Sequence, residues 1–515
     1  MPFALECTQN EALPKLAWLA RVDRREQVAR VVHGAALEKG DGWLVEGVWD
    51  GPFGQGDFHQ SENFFGSGIR LVGEEVHFVP STASIDRLLY CEHQGQALVS
   101  NSLILMLAAT GATLDDDHDY WRECLSIIKG VDRHDRRFAV RHPTLEHLEQ
   151  VFYENIIISR EPTRHELRIR RHRIDSFEDY VGSLQQILGG ILRNMADPAR
   201  RFALRGYSTL SCGYDSAAVA VIMRGLGVNE AFTGHPVRQP LEPLLPRGWK
   251  EDARGIGRHL GLTVHWLDDR RQGISQDELY YLCTNYPKHH SGHWSELSFH
   301  SMAQHIAQSG RLGVVFTGNH GDTVWDVNTP ERHLAEHIRR GCLTGLNQTE
   351  IRLHAGYITV PVPFIWAHEV LKIRQVTLSP EMAPWRLGNG YDRPIPRRLL
   401  EEAGVPRQLF GFEKKFICAR AMWPVNPSLR RRFLRHLRRR HGLPFWMVYL
   451  EYLKHLALTK AALKRFWGIE LARKENLFLK PEVDLFYHMV HWATAQMAGR
   501  AAARLGLEYP ARAGR

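Results

Sequence analysis

Seven cysteines in 515 residues is few, and Cys7, Cys91, Cys124, Cys212, Cys283, Cys342 and Cys418 are scattered with no Cys-x-x-Cys pair. An odd, dispersed set gives neither a disulfide framework nor a zinc site, and it fits a reducing, cytoplasmic setting. Long apolar runs are also missing. No stretch approaches the ~18 residues of a membrane-spanning helix, so the membrane is not expected as a partner. The start, MPFALECTQNEALPK, lacks a basic segment followed by an apolar core and does not read as a secretory signal. Repeats and low-complexity tracts are absent too, which excludes solenoid and fibrous architectures.

A strong charge of one sign is lacking as well. Lys and Arg number 66 against 57 Asp and Glu, a formal charge of +9, with 24% charged residues in all. That total is ordinary for a globular protein and argues against nucleic acid as a partner. Part of the excess is concentrated in RRRFLRHLRRRH (430–441), where Phe433, Leu434 and Leu437 fall at helical spacing. An arm for a polyanion and a solvated helix with an apolar seam both fit; the scarcity of aromatics among the arginines favours the second. The aromatic-rich LPFWMVYLEYLKHL (443–456) reads as a mostly buried helix.

A chain this long cannot enclose one core, and its length predicts roughly two to four domains. Up to about residue 160, short alternating runs such as GWLVEGVWDG (42–51), GIRLVGEEVHFV (68–79) and RLLYCEHQGQALVS (87–100) predict antiparallel strands and hairpins. In DSFEDYVGSLQQILGGILRNMA the apolar Phe177, Val181, Leu184, Leu188 and Ile191 predict a long helix after a Ser176 cap. Strands then alternate with helices: Tyr207 to Leu210, Ala231 to Thr233, LTVHWL (262–267) and GVVFT (313–317), with a helix predicted over 251–261. This alternation predicts a doubly wound, mainly parallel sheet, whose ligands bind at the carboxyl ends of its strands. Beyond 330 the chain reads as mostly helical.

At such a strand end stands Ser211-Cys212-Gly213-Tyr214-Asp215-Ser216, opening a helix. Backbone N–H groups at a helix N-terminus attract phosphate, the serines add hydroxyl donors, and Gly213 lets the backbone approach closely. Asp215 would repel phosphate unless a cation lay between them, which points to magnesium. Turns and helix caps favour the same residues, so the loop alone is weak evidence. A second loop, Thr317-Gly318-Asn319-His320-Gly321-Asp322, ends the strand GVVFT and again sets glycines beside a lone aspartate.

The pair of loops resembles the asparagine synthetase-like superfamily of ATP-pyrophosphatase enzymes, whose first loop reads S-G-G-x-D-S and whose second reads roughly S-G-x-G-x-D-E. DRLLYCEHQGQALVSNSLILMLAATGATLDDD (86–117) is similar to the end of that family's N-terminal glutaminase-type domain, and RPIPRRLLEEAGVPRQLFGFEKKF (393–416) to the segment bearing its catalytic lysine. The resemblance implies a degenerate glutaminase-like antiparallel αββα domain over 1–165 and an ATP-pyrophosphatase domain with helical additions over 166–515. It implies Ser211, Cys212, Gly213, Tyr214, Ser216, Gly318 and Gly321 at ATP and pyrophosphate, Asp215 and Asp322 on magnesium, and Lys415 or Lys414 as the catalytic lysine. The expected reaction is adenylation of a substrate carboxylate followed by amide formation, in the manner of the glutaminase-inactive lasso-peptide macrolactam synthetases and β-lactam synthetases. A peptide or small molecule is the expected substrate, and a peptide-processing protein a conceivable partner. Alternatives are amidation of a sugar acid with ammonia from elsewhere, or an inactive nucleotide-binding scaffold.

The sequence departs from the family at three places. Residue 2 is proline where glutamine-using members expose a cysteine, so no glutaminase activity is expected. Cys212 replaces a glycine, and Asn319 with His320 replace small or acidic residues. The histidine-rich KHHSGHWSELSFH (288–300) reads as a substrate-facing loop or plain surface rather than a metal site, because its spacing is irregular.

Overall fold

The computed structural model describes residues 2–120, 126, 130–131, 133–235, 252–268, 279–283, 300–330, 348–412, 424, 426–457 and 485–510. The architecture is mixed α/β. Two mainly antiparallel sheets form the first part of the chain and one parallel sheet the next.

Seven strands make the first sheet in the order β1 (Ala4–Gln9), β3 (Val28–His33), β2 (Trp18–Asp23), β9 (Gln96–Ser100), β8 (Leu88–His93), β11 (His147–Val151), β10 (Arg137–Ala139). The β1–β3 pair is parallel and the other pairs are antiparallel. Six strands make the second: β13 (Arg164–Leu167), β12 (Glu154–Ile158), β7 (Glu75–Val79), β6 (Phe65–Val72), β5 (Trp43–Val48), β4 (Glu38–Gly40). The alternation read from the sequence is the inside–outside pattern of these strands. Trp18, Ala20, Val22, Leu88, Tyr90, Ala97 and Val99 of one sheet meet Leu44, Ile69, Val76, Phe78, Ile156 and Ile158 of the other in one core. The opposite face of the first sheet is covered by helix α1 (Leu103–Thr110), capped by Ser102, whose Oγ accepts from Leu105 N–H.

The long helix α2 spans Phe177–Met195 and starts where its cap predicts, with Ser176 Oγ accepting from Asp179 N–H at 3.0 Å. After it come β14 (Leu204–Thr209), β15 (Glu230–His235), β16 (Thr263–Asp268), β17 (Leu312–Thr317) and β18 (Tyr357–Pro361), all parallel in the order β16-β15-β14-β17-β18. Helix α3 (Tyr214–Gly225), α4 (Arg254–His259) and α7 (Pro394–Glu402) cover one face, while α5 (His300–Gln308) and α6 (Thr349–Ala355) cover the other. Helices on both faces keep the sheet dry, which parallel strands require.

Among the described residues after 330, which are mostly helical, β18 is the one strand, and the sequence reading did not single it out. A parallel strand buried on both faces is a short continuous apolar run, YITVP, without the alternation that marks a half-exposed strand. The segment 443–456 also differs from expectation: its helix, Phe445–Ala457, leaves Phe445, Trp446, Tyr449 and Leu450 exposed.

Candidate functional site

The chain runs from β14 outward to β15 and β16, then returns to the other side of β14 as β17. That reversal opens a crevice between β14 and β17 at their carboxyl ends, where ligands of open parallel sheets bind. The two strands are paired in register, Ser208 opposite Phe316, so the loops that leave them are neighbours by construction.

The first loop closes on itself. Ser211 and Ser216 hydroxyls lie 2.5 Å apart, and Ser211 Oγ accepts from Gly213 N–H at 3.2 Å. Gly213 caps α3 in an extended conformation (φ −78°, ψ 175°), which places Asp215 in the first turn. Tyr214 N–H donates to Tyr391 Oη at 3.3 Å, and the Cys212 carbonyl accepts from Gly411 N–H at 2.9 Å. Tyr214 is buried; Ser211, Cys212, Gly213, Asp215 and Ser216 are partly exposed at the crevice. Cys212 is partly buried and packs against the cluster that contains Leu210, Ala217 and Ile256.

The second loop presses on the first through its glycines. A Cβ at Gly318 would sit 2.5 Å from the Asp215 carbonyl carbon and the Ser216 nitrogen, and one at Gly321 2.7 Å from Asp215 Cγ. Real Cβ atoms do not come that close to other heavy atoms; at Gly318 the obstacle is the backbone between Asp215 and Ser216, and at Gly321 it is the Asp215 side chain, which would have to move. Between them His320 adopts φ 77° and stacks on Phe364, with ring centroids 4.3 Å apart. Asp322 follows in the first turn of the short helix Gly321–Val324 and is partly exposed.

Sequence reasoning missed Arg393. Only 2% exposed, its guanidinium pairs with Asp215 Oδ2 through Nη1. Burial opposes its charge, but Asp215, Tyr391 and Asp322 outweigh burial and hold its pKa above the ordinary arginine value. The Tyr391 ring lies 5.0 Å from the guanidinium and 4.9 Å from the Tyr214 ring, and burial pushes its hydroxyl up to about 12. Arg393 opens the stretch RPIPRRLLEEAGVPRQLFGFEKKF, but no short-range pattern in the sequence singles it out.

The structure thus gathers Ser211, Cys212, Gly213, Tyr214, Asp215, Ser216, Gly318, Gly321 and Asp322 into one crevice. Lys414, Lys415 and the histidine-rich stretch up to residue 299 lie outside the described residues. Just ahead of the lysines, Gly411 (φ 71°) packs against the Tyr214 ring, where a Cβ would be 2.3 Å from Cζ. Among known proteins, no family model and no curated sequence matches the chain.

Proposed function

We propose that the protein is an ATP-dependent, AMP-forming carbon–nitrogen ligase, built from a glutaminase-like Ntn-type αββα region and an ATP-pyrophosphatase region. One observation carries this reading: two glycine-bearing loops from adjacent parallel strands converge on one aspartate at a helix N-terminus. A helix cap has no need of the second loop, whereas a triphosphate needs both donors and a counter-charge.

In this reading the N–H groups of the first turn of α3 and the hydroxyls of Ser211 and Ser216 hold the β- and γ-phosphates. A substrate carboxylate oxygen attacks the α-phosphorus, the bond to the bridging oxygen breaks, and pyrophosphate leaves with that electron pair. An amine then attacks the acyl carbon and AMP departs. Asp215 pairs with the buried Arg393, and Asp322 also acts electrostatically on that guanidinium; these two carboxylates are the residues that would hold magnesium. The ion takes one or two carboxylates together with phosphate oxygens; when bound it would offset the charge of pyrophosphate. Arg393 fixes the Asp215 carboxylate, and Lys414 or Lys415 is assigned to charge stabilisation by resemblance. A peptide or small-molecule carboxylate is the substrate class, with macrolactam or specialised-metabolite synthesis as the setting.

ATP–pyrophosphate exchange tests the proposal. Asp322→Asn should lower exchange more than ~100-fold with unchanged circular dichroism. Asp215→Asn should do the same while also loosening the fold near Arg393. Wild-type exchange in the Asp322 variant would sink the assignment, and absence of exchange in the unaltered protein across carboxylate substrates would favour the scaffold reading.

A further inference from the structure

We propose that the helix Phe445–Ala457 and the arginine-rich helix before it, Pro427–His441, dock on the surface of an anionic lipid bilayer without crossing it. The sequence reading expects no membrane partner because spanning segments are lacking, and among the described residues no helix is long and apolar enough to cross. Lying on a surface is a different physical matter.

Folding leaves Phe445, Trp446, Tyr449 and Leu450 exposed by 60, 65, 45 and 56%. At helical spacing these positions form one stripe, while Val448 and Glu451, on the other side, are buried. Four large apolar side chains on one stripe is more than scattered surface hydrophobicity. Side chains that protrude this far have no walls around them, so they cannot form a pocket for an incoming group. Their shape suits insertion into something soft or grooved.

Charge decides which. The preceding helix buries Leu429, Phe433 and Leu437 and turns Arg431, Arg435, Arg438 and Arg439 to solvent. Gly442 (φ 64°) ends it, and Leu443 N–H donating to the Leu437 carbonyl at 3.3 Å keeps the turn tight. Of these, Arg438 and Arg439 lie in the last turn of that helix and so precede the apolar stripe by a single tight turn. Arg432 and Arg440 are engaged by Gln496 and Asp116, at 2.7 and 2.5 Å. Arginines beside Trp, Phe, Tyr and Leu match phosphate headgroups above acyl chains, the pattern of interfacial helices. A single-stranded nucleic acid would use the arginines but needs free ring faces. Here Phe445 and Tyr449 stack on each other at 6.0 Å and 20°, and Leu450 offers no ring at all.

Co-sedimentation of the full chain with vesicles tests this. Vesicles of phosphatidylcholine with about a quarter phosphatidylglycerol should bind the protein at low salt, and pure phosphatidylcholine should bind it far less. Phe445→Ser with Trp446→Ser, and separately Leu450→Ser, should weaken binding about tenfold or more; Arg438→Gln with Arg439→Gln should weaken binding to anionic vesicles and remove most of its salt dependence. All are surface changes, and circular dichroism should be unchanged. No binding to anionic vesicles, or binding equal in all variants, overturns the proposal. So does patch-dependent self-association by light scattering without vesicle binding, or tighter binding to a single-stranded oligonucleotide than to vesicles.

Discussion

Arg352 and Glu46, 306 positions apart in the chain, form a two-pronged ion pair with N–O distances of 2.7 and 2.9 Å, its side chains 1 and 0% exposed. The same guanidinium reaches both oxygens of Asp86 at 3.0 Å through Nε. Burial works against the Arg352 charge, and the two carboxylates hold it firmly protonated. The network fastens α6, on the parallel sheet, to β5 of the antiparallel sandwich. Removing one member leaves charges buried without compensation, so Arg352→Met should cost about 3–5 kcal/mol. Urea denaturation checks this; a loss below ~1 kcal/mol would mean that the regions do not rely on the pair.

Beside that network, Glu350 accepts from Ser102 Oγ at 3.0 and 2.9 Å, and its carboxyl is raised from 4.5 to about 7. Burial is the main cause, opposed by Ser102, two backbone N–H groups and Arg87. Because the folded pKa is the higher one, the folded state binds more protons between the two values. Its contribution is complete below about 4.5 and is lost as pH rises through about 7. Glu350→Gln should therefore gain up to about 3 kcal/mol on the unaltered protein between pH 5 and 8. Denaturation midpoints of the two proteins at both pH values measure the difference; parallel curves would refute it.

At the crevice, Gly321→Ala puts a methyl group against the Asp215 carboxylate, where only 2.7 Å is available. Asp215 must shift by a good fraction of an ångström, and misplacement on that scale costs up to ~100-fold in rate. ATP–pyrophosphate exchange should fall by at least about tenfold while thermal stability changes little. Gly310→Ala, where a Cβ meets nothing within 4 Å but φ is 70°, is the control for backbone strain alone. Equal exchange in both variants would remove the steric argument.

Glutamine chemistry offers a separate check. Cys7 lies within β1, opposite Val31 in the parallel pairing with β3, and burial raises its thiol pKa, with Lys39 opposing. A mid-strand thiol without a free α-amine beside it is a poor nucleophile. Purified protein should release no glutamate from glutamine, and Cys7→Ala should leave exchange unchanged. Glutamate release lost in Cys7→Ala would overturn this.

Much of this molecule follows from local sequence. Inside–outside alternation marks the sandwich strands, the Ser176 cap and its apolar stripe mark α2, and glycines with an aspartate at two strand ends mark the two loops. These signals survive because hydrogen-bond periodicity, capping and turn chemistry act between residues close in the chain. Three features came only from tertiary structure. Arg393 meets Asp215 across 178 positions, and no short-range rule selects one arginine from so many. β18 reads as helix or strand until the sheet buries both its faces. The exposure of Phe445, Trp446, Tyr449 and Leu450 depends on which face the rest of the fold covers; apolar composition fixes a preference for burial, and packing alone decides whether a partner surface is at hand.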